Sequence, residues 1–500
     1  MTIDSPFADR VRNAIEQGNF EQAFSWYEQA LQSGQKELRV EYAFLLWEYY
    51  EFPRAKELFH ELVLDSSTPI LTQQAIAKCY FRLGRFDDAA QVMEQVVQRS
   101  PGDVELLLQF ASCCERSDRF EPSLEACNQA LAIEPSHQGI VRQLAHIERR
   151  QGDFDAAIDR LQQFLVEYSW ADNWQARYEL AGCLDRVGEY RDAWLNLVEA
   201  KTWLRPQSLT DLQISYATRK RQADVVQGIT DVDWARWQRL QPAETQSIAL
   251  MAGFPRSGTT LLETLLTSHP CVEGTDESGI LLSQFTKPMI WDADDPMQAV
   301  IELRSFDQDQ IAAGREHYLR CTGNVLGADL QNKLLIEKDP LLTCDLALPL
   351  RLFPEAKIIM PLRNPRDVII SYFFTMLPFA WSSSPATDIV ESAKFYSDVM
   401  NHWLYLRHRL PWASCEIRYE DLTEDPLEQT RRLSEFLELD FQPAMLDPTQ
   451  RRKDKMVSTP TYDDVTKPIY RRAVGRWENY REFLEPALPI LEPCCQALGY

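Results

Sequence analysis

The sequence has no C-x-x-C spacing, no carboxylate-backed H-x-x-x-H pair, no long apolar run and no excess of basic charge. Each absence removes a class of function. The eleven cysteines are scattered, odd in number and partly adjacent (Cys113 and Cys114, Cys494 and Cys495), which speaks against a disulfide framework or a zinc site. Of the seven histidines, His402 and His408 stand six apart on a predicted helix, and no spacing among the seven calls for a metal. The amino-terminal MTIDSPFADRVRNAIEQGNF carries Asp9, Arg10 and Arg12 where a signal peptide or anchor would be apolar, so a cytoplasmic protein without membrane insertion is expected. Lys and Arg number 52 against 75 Asp and Glu, a net charge of −23, with −12 over residues 1–250 and −11 over the rest. Such a surface repels nucleic acid, and any anion site must rest on a local cluster of Arg and Lys.

What is present is ordinary globular material: 500 residues, 45% hydrophobic and 25% charged, enough for two domains. The first half repeats. GNFEQAFSWYEQAL, EFPRAKELFHELV, GRFDDAAQVMEQVV, DRFEPSLEACNQAL, GDFDAAIDRLQQFL and GEYRDAWLNLVEA each open on an aromatic: Phe20, Phe52, Phe86, Phe120, Phe154 and Tyr190. The spacings are 32, 34, 34, 34 and 36, and three residues on stands a small side chain: Ala23, Ala55, Ala89, Ser123, Ala157 and Ala193. A small residue lets two helices approach while the aromatic fills the space between them, and a Gly or polar pair makes the turn. The segments resemble tetratricopeptide repeats, with Pro101 and Pro135 where a second helix should stop. The expectation is an all-α solenoid over residues 1–204 that docks a protein or peptide, either acceptor or partner. Oligomerisation, as a homodimer, is its alternative use. Residues 205–245 lose the period and read as a helical cap and linker.

From residue 246 the pattern becomes that of an α/β P-loop-like three-layer domain with a parallel sheet, running to residue 500. IALMAGF reads as a buried strand and TLLETLLTSHP as a helix; the loop between them is Gly253, Phe254, Pro255, Arg256, Ser257, Gly258, Thr259, Thr260. It fits G-x-x-x-x-G-K-[ST] except that Thr259 replaces the lysine that would grip a γ-phosphate. Gly-rich geometry still offers backbone amides to an anion, and Arg256 adds a cation, so a doubly anionic anhydride suits the loop better than a nucleoside triphosphate. This speaks against a kinase.

The string GFPRSGTTLLETLL with HPCVEGTDES strongly resembles the 5′-phosphosulfate loop of sulfotransferases, in particular tyrosylprotein sulfotransferases and their bacterial relatives. The resemblance implies a donor, 3′-phosphoadenosine 5′-phosphosulfate, held at Pro255, Arg256, Ser257, Gly258, Thr259 and Thr260, and no metal. KIIMPLRNPRDVIISYFF resembles the family's 3′-phosphate signature, which assigns Arg363 and Ser371 to that phosphate. SCEIRYEDL makes Tyr419 a candidate for nucleotide contact, with a core tyrosine as the equal alternative. STPTYDDVTKPIYRRAVGRWENY is similar to the family's closing loop, in which Thr461 supplies a hydroxyl and Arg476 a cation. Asp464 stands where the family often has Gln. Residues 451–476 hold eight basic and three acidic side chains, the local cationic cluster that the overall charge demands.

For the chemistry, the resemblance implies Glu277 as the base that takes the acceptor's proton, with Asp276 and Glu273 as nearby alternatives that would otherwise be solvated loop charges. Lys338, in LLIEKDPLL, is expected to neutralise the departing nucleotide, aimed by Asp339, while Arg256 shares that charge. The function implied is sulfuryl transfer to a protein or peptide hydroxyl, tyrosine first. A carbohydrate or small-molecule acceptor is the second reading, and a repeat-based binding protein with an inert α/β domain the third.

Overall fold

The structure is a computed structural model that describes residues 6–16, 19–169, 172–447 and 468–500. Its first part is a run of helices in pairs, from Pro6–Glu16 and Phe20–Gln32 to Trp174–Val187 and Tyr190–Leu204. The six aromatics are the first residues of the six second helices. All six small residues that follow are fully buried, at 0% exposure, which is the close helix approach that the spacing predicts. The turn two residues before the aromatic is left-handed at Tyr50, Gly84, Asp118, Gly152 and Gly188, so the period is carried by backbone shape even where glycine is missing. The aromatics are not all core: Phe52 and Phe86 are buried, whereas Phe120 and Phe154 are half-buried under guanidinium groups. Arg116 lies 4.1 Å over Phe86, Arg150 4.9 Å over Phe120 and Arg186 5.1 Å over Phe154, a ladder of cation–π contacts along the solenoid.

The helices Leu209–Gly228 and Asp231–Gln238 follow. They give the end of the solenoid more than a polar cap: Val225, Val226, Ile229, Trp234 and Trp237 enter the same buried cluster as the α/β domain's core.

The α/β domain is built on five parallel strands, β1 (Ile248–Met251), β2 (Val272–Gly274), β3 (Leu334–Lys338), β4 (Lys357–Leu362) and β5 (Ser414–Arg418), in the order β2-β3-β1-β4-β5. Alternate residues of β1 feed two cores: Ile248 and Leu250 face one, Ala249 and Met251 the other. The helix Thr259–Thr267 after β1 covers one face through Leu261, Leu262, Leu265 and Leu266. The helix Pro365–Phe373 after β4 covers the opposite face through Val368, Ile369 and Ile370. Neighbouring strands β1 and β4 therefore send their helices to opposite sides, the topological switch that opens a crevice at the carboxyl ends of the strands. Among the described residues no helix is long and apolar enough to cross a membrane.

Candidate active site

Gly253 and Gly258 turn the loop after β1 with φ of 138° and 98°. At Gly258 a Cβ would come within 2.7 Å of the Tyr419 ring, so glycine is required by contact as well as by φ. Arg256, with φ 74°, is held in the left-handed region although it is not glycine. Thr343 clamps the start of the loop: it accepts from the Gly253 amide and donates to the Gly253 carbonyl, both at 2.7 Å. The loop ends on the Thr259–Thr267 helix, whose first-turn amides have no intrahelical acceptor.

The two halves of the expected nucleotide site meet through Arg256. Its Nε donates to Ser371 Oγ at 3.0 Å, and its carbonyl accepts from Arg363 Nη1 at 3.0 Å. Arg363 is 6% exposed; its Nη2 donates to the Ala473 carbonyl at 2.6 Å, while its buried Nε has no hydrogen-bond partner. A buried cationic N–H left over in this position fits an anion bound beside it. Tyr419 is buried, with its ring against Gly258 and 4.9 Å from the Arg363 guanidinium, so it packs beneath the loop.

Arg476 has another partner. Its Nε and Nη2 reach Asp185 of the solenoid at 3.1 and 3.0 Å, and its guanidinium covers the Phe374 ring at 4.6 Å. Asp367 orders the chain on either side by accepting from the amides of Gly475 and Trp477, each at 2.8 Å. Thr461, and the cluster from Arg451 to Lys467, lie outside the described residues.

The second constellation surrounds Lys338, at the carboxyl end of β3. Its ammonium is fully buried and meets Glu277 at 2.8 Å, Asp276 at 3.3 Å and Glu263 at 3.3 Å. Burial alone would pull its pKa down, but three carboxylates outweigh that and push it well above the ordinary lysine value. Glu263, buried between them, is itself raised by desolvation against the pull of Lys338. Asp276 and Glu277 are consecutive left-handed residues, φ 45° and 61°, pinned by two backbone bonds: the Asp276 amide donates to Glu263 Oε1 at 2.9 Å and the Glu277 amide to the Lys338 carbonyl at 3.1 Å. Strain of this kind persists only where surrounding contacts overdetermine it.

Three expectations need correction. Asp339 does not aim Lys338: its carboxylate caps the turn Pro340–Cys344 by accepting from the Leu341 amide at 2.8 Å. Asp276 is not a solvated charge but part of the Lys338 cluster. Glu273 is 2% exposed and ion-paired with Lys333 at 3.4 Å, because β2 turns its side chain into the sheet edge. Glu263 and Thr343 were not anticipated. The signal for Glu263 was a lone acid in the apolar run TTLLETLL, where burial demands a counter-charge.

Arg256, Thr259, Thr260, Pro255 and Glu277 line one cavity of about 320 Å³. Its remaining walls are largely apolar and aromatic, with Leu281, Leu282, Trp291, Leu341, Leu377 and Trp381. Its floor holds Glu337, Asp339 and Asp345, which desolvation raises to about 7, about 6 and about 7. Tyr318 donates to Glu337 at 2.5 Å and Gln222 to Asp345 at 2.8 Å. The loop residues and the Glu277 carboxylate thus line the same pocket.

Residues 249–443 match the sulfotransferase family, and residues 80–147 and 142–200 match tetratricopeptide repeats. An uncharacterised protein of Aquifex aeolicus is 30% identical over 248 residues, 48% of this chain and 31% of that protein, so the chain spans about a third of that relative's length. A putative protein-tyrosine sulfotransferase of Caenorhabditis briggsae is 27% identical over 201 residues, 40% of this chain and 69% of the relative. Protein-tyrosine sulfotransferase 1 of Danio rerio is 23% identical over 269 residues, 51% and 72% of the two chains. Among solved structures, the sulfotransferase domain of the Synechococcus PCC 7002 olefin synthase aligns with a TM-score of 0.32 at 21% identity over 48% of this chain and 90% of its own. MamA from Desulfovibrio magneticus RS-1 aligns at 0.26 and 16% over 32% and 91%. The chain thus carries a stretch that matches tetratricopeptide repeats, followed by one that matches the sulfotransferase family.

Proposed function

We propose that the protein transfers a sulfuryl group from 3′-phosphoadenosine 5′-phosphosulfate to a hydroxyl, most favourably the phenol of a protein or peptide tyrosine. The observation that carries this is the single cavity onto which both the loop residues Arg256, Thr259 and Thr260 and the carboxylate of Glu277 open. The donor's 5′ end would lie on the loop amides and its 3′-phosphate on Arg363 and Ser371. Sulfuryl transfer disperses negative charge between two oxygens in line, so positioning and cations do most of the work. Glu277 takes the phenolic proton as the O–S bond forms, and Arg256 takes up charge on the departing phosphate. Lys338, fully buried and absent from the cavity wall, acts in this proposal as the counter-ion that fixes Glu277 rather than as a contact to the bridging oxygen. The apolar and aromatic walls favour a phenolic ring over a sugar. The repeats, by their usual role, would dock the acceptor protein or a partner.

The test incubates the protein with ³⁵S-labelled donor and a lysate of its source, then separates protein, glycan and small-molecule fractions. Label in protein tyrosine is expected. Label confined to glycans or metabolites refutes the tyrosine acceptor and leaves the reaction, and no label in any fraction refutes both.

A further inference from the structure

The two walls of the cavity are attached to opposite ends of the solenoid. One wall is the segment that supplies Leu281, Leu282, Thr286 and Trp291. Within it Ser283 shares a 2.8 Å hydrogen bond with the hydroxyl of Tyr50, which sits between the helices Arg39–Glu48 and Phe52–Leu64. The helix Gln308–Leu326 behind this wall is tied to the same turn. Asn324 Nδ2 donates to the Tyr50 carbonyl at 2.9 Å, Arg320 pairs with Glu51, and the His317 ring lies between Phe20 and Phe285.

The facing wall supplies Tyr372, Thr375, Leu377 and Trp381. Tyr178, on the last pair of repeat helices, donates to the carbonyls of Phe373 at 3.2 Å and Thr375 at 2.9 Å. Lys201 is buried and backs this contact, donating to the Tyr178 hydroxyl at 3.0 Å and to the Ala386 carbonyl at 2.5 Å. Trp194 stacks on Phe373 at 5.0 Å. The phosphate loop, by contrast, is fixed from within the α/β domain by Thr343, Arg363 and Tyr419.

We infer that the solenoid is a brace that sets the width of the acceptor cavity, with Tyr50 and Tyr178 as positioning residues for the acceptor, Tyr50 without effect on the donor. The word acceptor rests on the sulfotransfer reading above; the brace itself rests on the contacts at both ends. The loop and the Tyr50 wall have separate supports, so loosening Tyr50 changes acceptor binding and leaves nucleotide binding alone, whereas the Tyr178 wall continues into the helix of Ser371, which Arg256 reaches at 3.0 Å.

The test uses Tyr50→Phe and Tyr178→Phe in the full chain, each of which removes one hydroxyl and keeps the ring. One such hydrogen bond is worth a factor of about five in an equilibrium. Amide hydrogen exchange should therefore quicken about fivefold over residues 281–291 in the first variant, with residues 253–260 unchanged, and over 373–387 in the second. With 4-nitrophenol as acceptor, KM should rise about fivefold in either variant, while in Tyr50→Phe the Kd of 3′,5′-bisphosphoadenosine stays within about twofold. A residue that merely held the fold together would lower kcat through the active fraction and leave KM alone. Unchanged exchange in both walls, or faster exchange with an unchanged KM, overturns the inference. Should the wild-type protein transfer no sulfuryl group, the sulfotransfer reading falls, and the exchange result alone decides whether the brace exists.

Discussion

Apart from Asn332 and Glu438, the described side-chain-bearing residues in the left-handed region of backbone space fall into two groups, one in the solenoid and one at the site. In the solenoid, Tyr50 and Asp118 stand where the four other repeats place glycine, and the turn itself does not need their side chains. At the site, Arg256, Asp276 and Glu277 have the same kind of φ, and in the proposed reaction their side chains are the cation, the ion-pair partner and the base. The same local cost, on the order of 1–3 kcal/mol per residue, is incidental to the turn in one region and a condition of the proposed chemistry in the other. Relieving it at Asp118 should help the first region, and relieving it at Glu277 should cost activity.

The largest effect expected is on stability. Lys338→Met removes the cation that Glu263, Asp276 and Glu277 share and should cost about 3–5 kcal/mol in denaturant unfolding. A loss below about 1 kcal/mol would mean the cluster is not held by charge. Glu277→Gln should lower turnover at least about a hundredfold with 3′,5′-bisphosphoadenosine affinity within about twofold. Glu277→Gly should lose as much turnover yet unfold about 1 kcal/mol later than the Gln variant, because its φ of 61° no longer strains the chain. Equal stability of the two would remove strain from the account. Arg363→Ala should weaken bisphosphoadenosine binding at least about tenfold by calorimetry, and an unchanged affinity would discredit the assigned 3′-phosphate site.

The cavity floor adds a dependence on pH. Burial raises Asp345 to about 7 from an ordinary carboxyl value of 3.8, so its contribution to stability is complete below about pH 4 and lost as pH climbs through 7. Asp345→Asn should therefore match the wild type near pH 4 and exceed its stability by at least about 1 kcal/mol at pH 8. A constant difference across that range would show that the group does not titrate with folding. The smallest effect belongs to the solenoid: Asp118→Gly should stabilise by about 0.5–1 kcal/mol, less the exposed pairing with Arg150, with turnover unaffected. Destabilisation there would erase the contrast between the two regions.

How much of this was legible in the sequence follows the range of the contacts. The repeats declare themselves because aromatic, small residue and turn sit within five positions of one another, and the loop declares itself for the same reason. The Lys338 cluster was half legible: Glu277 and Lys338 lie in recognisable strings, whereas Glu263 joins them only once β3 pairs between β1 and β2. Arg476 and Tyr178 were not legible at all, since their partners Asp185 and Phe373 stand 291 and 195 residues away. No periodicity encodes such distances. Tyr419, left open between nucleotide and core, is seen in the fold packing against Gly258.

An open-ended repeat array can gain or lose a unit and merely grow longer or shorter. Here Tyr50 and Glu51 are seated on one part of the α/β domain while Tyr178, Asp185 and Lys201 are seated on another, so the array is anchored at both places. Inserting or deleting one unit between them would unseat an end. The copy number of this array is thereby locked to the distance between its two seats.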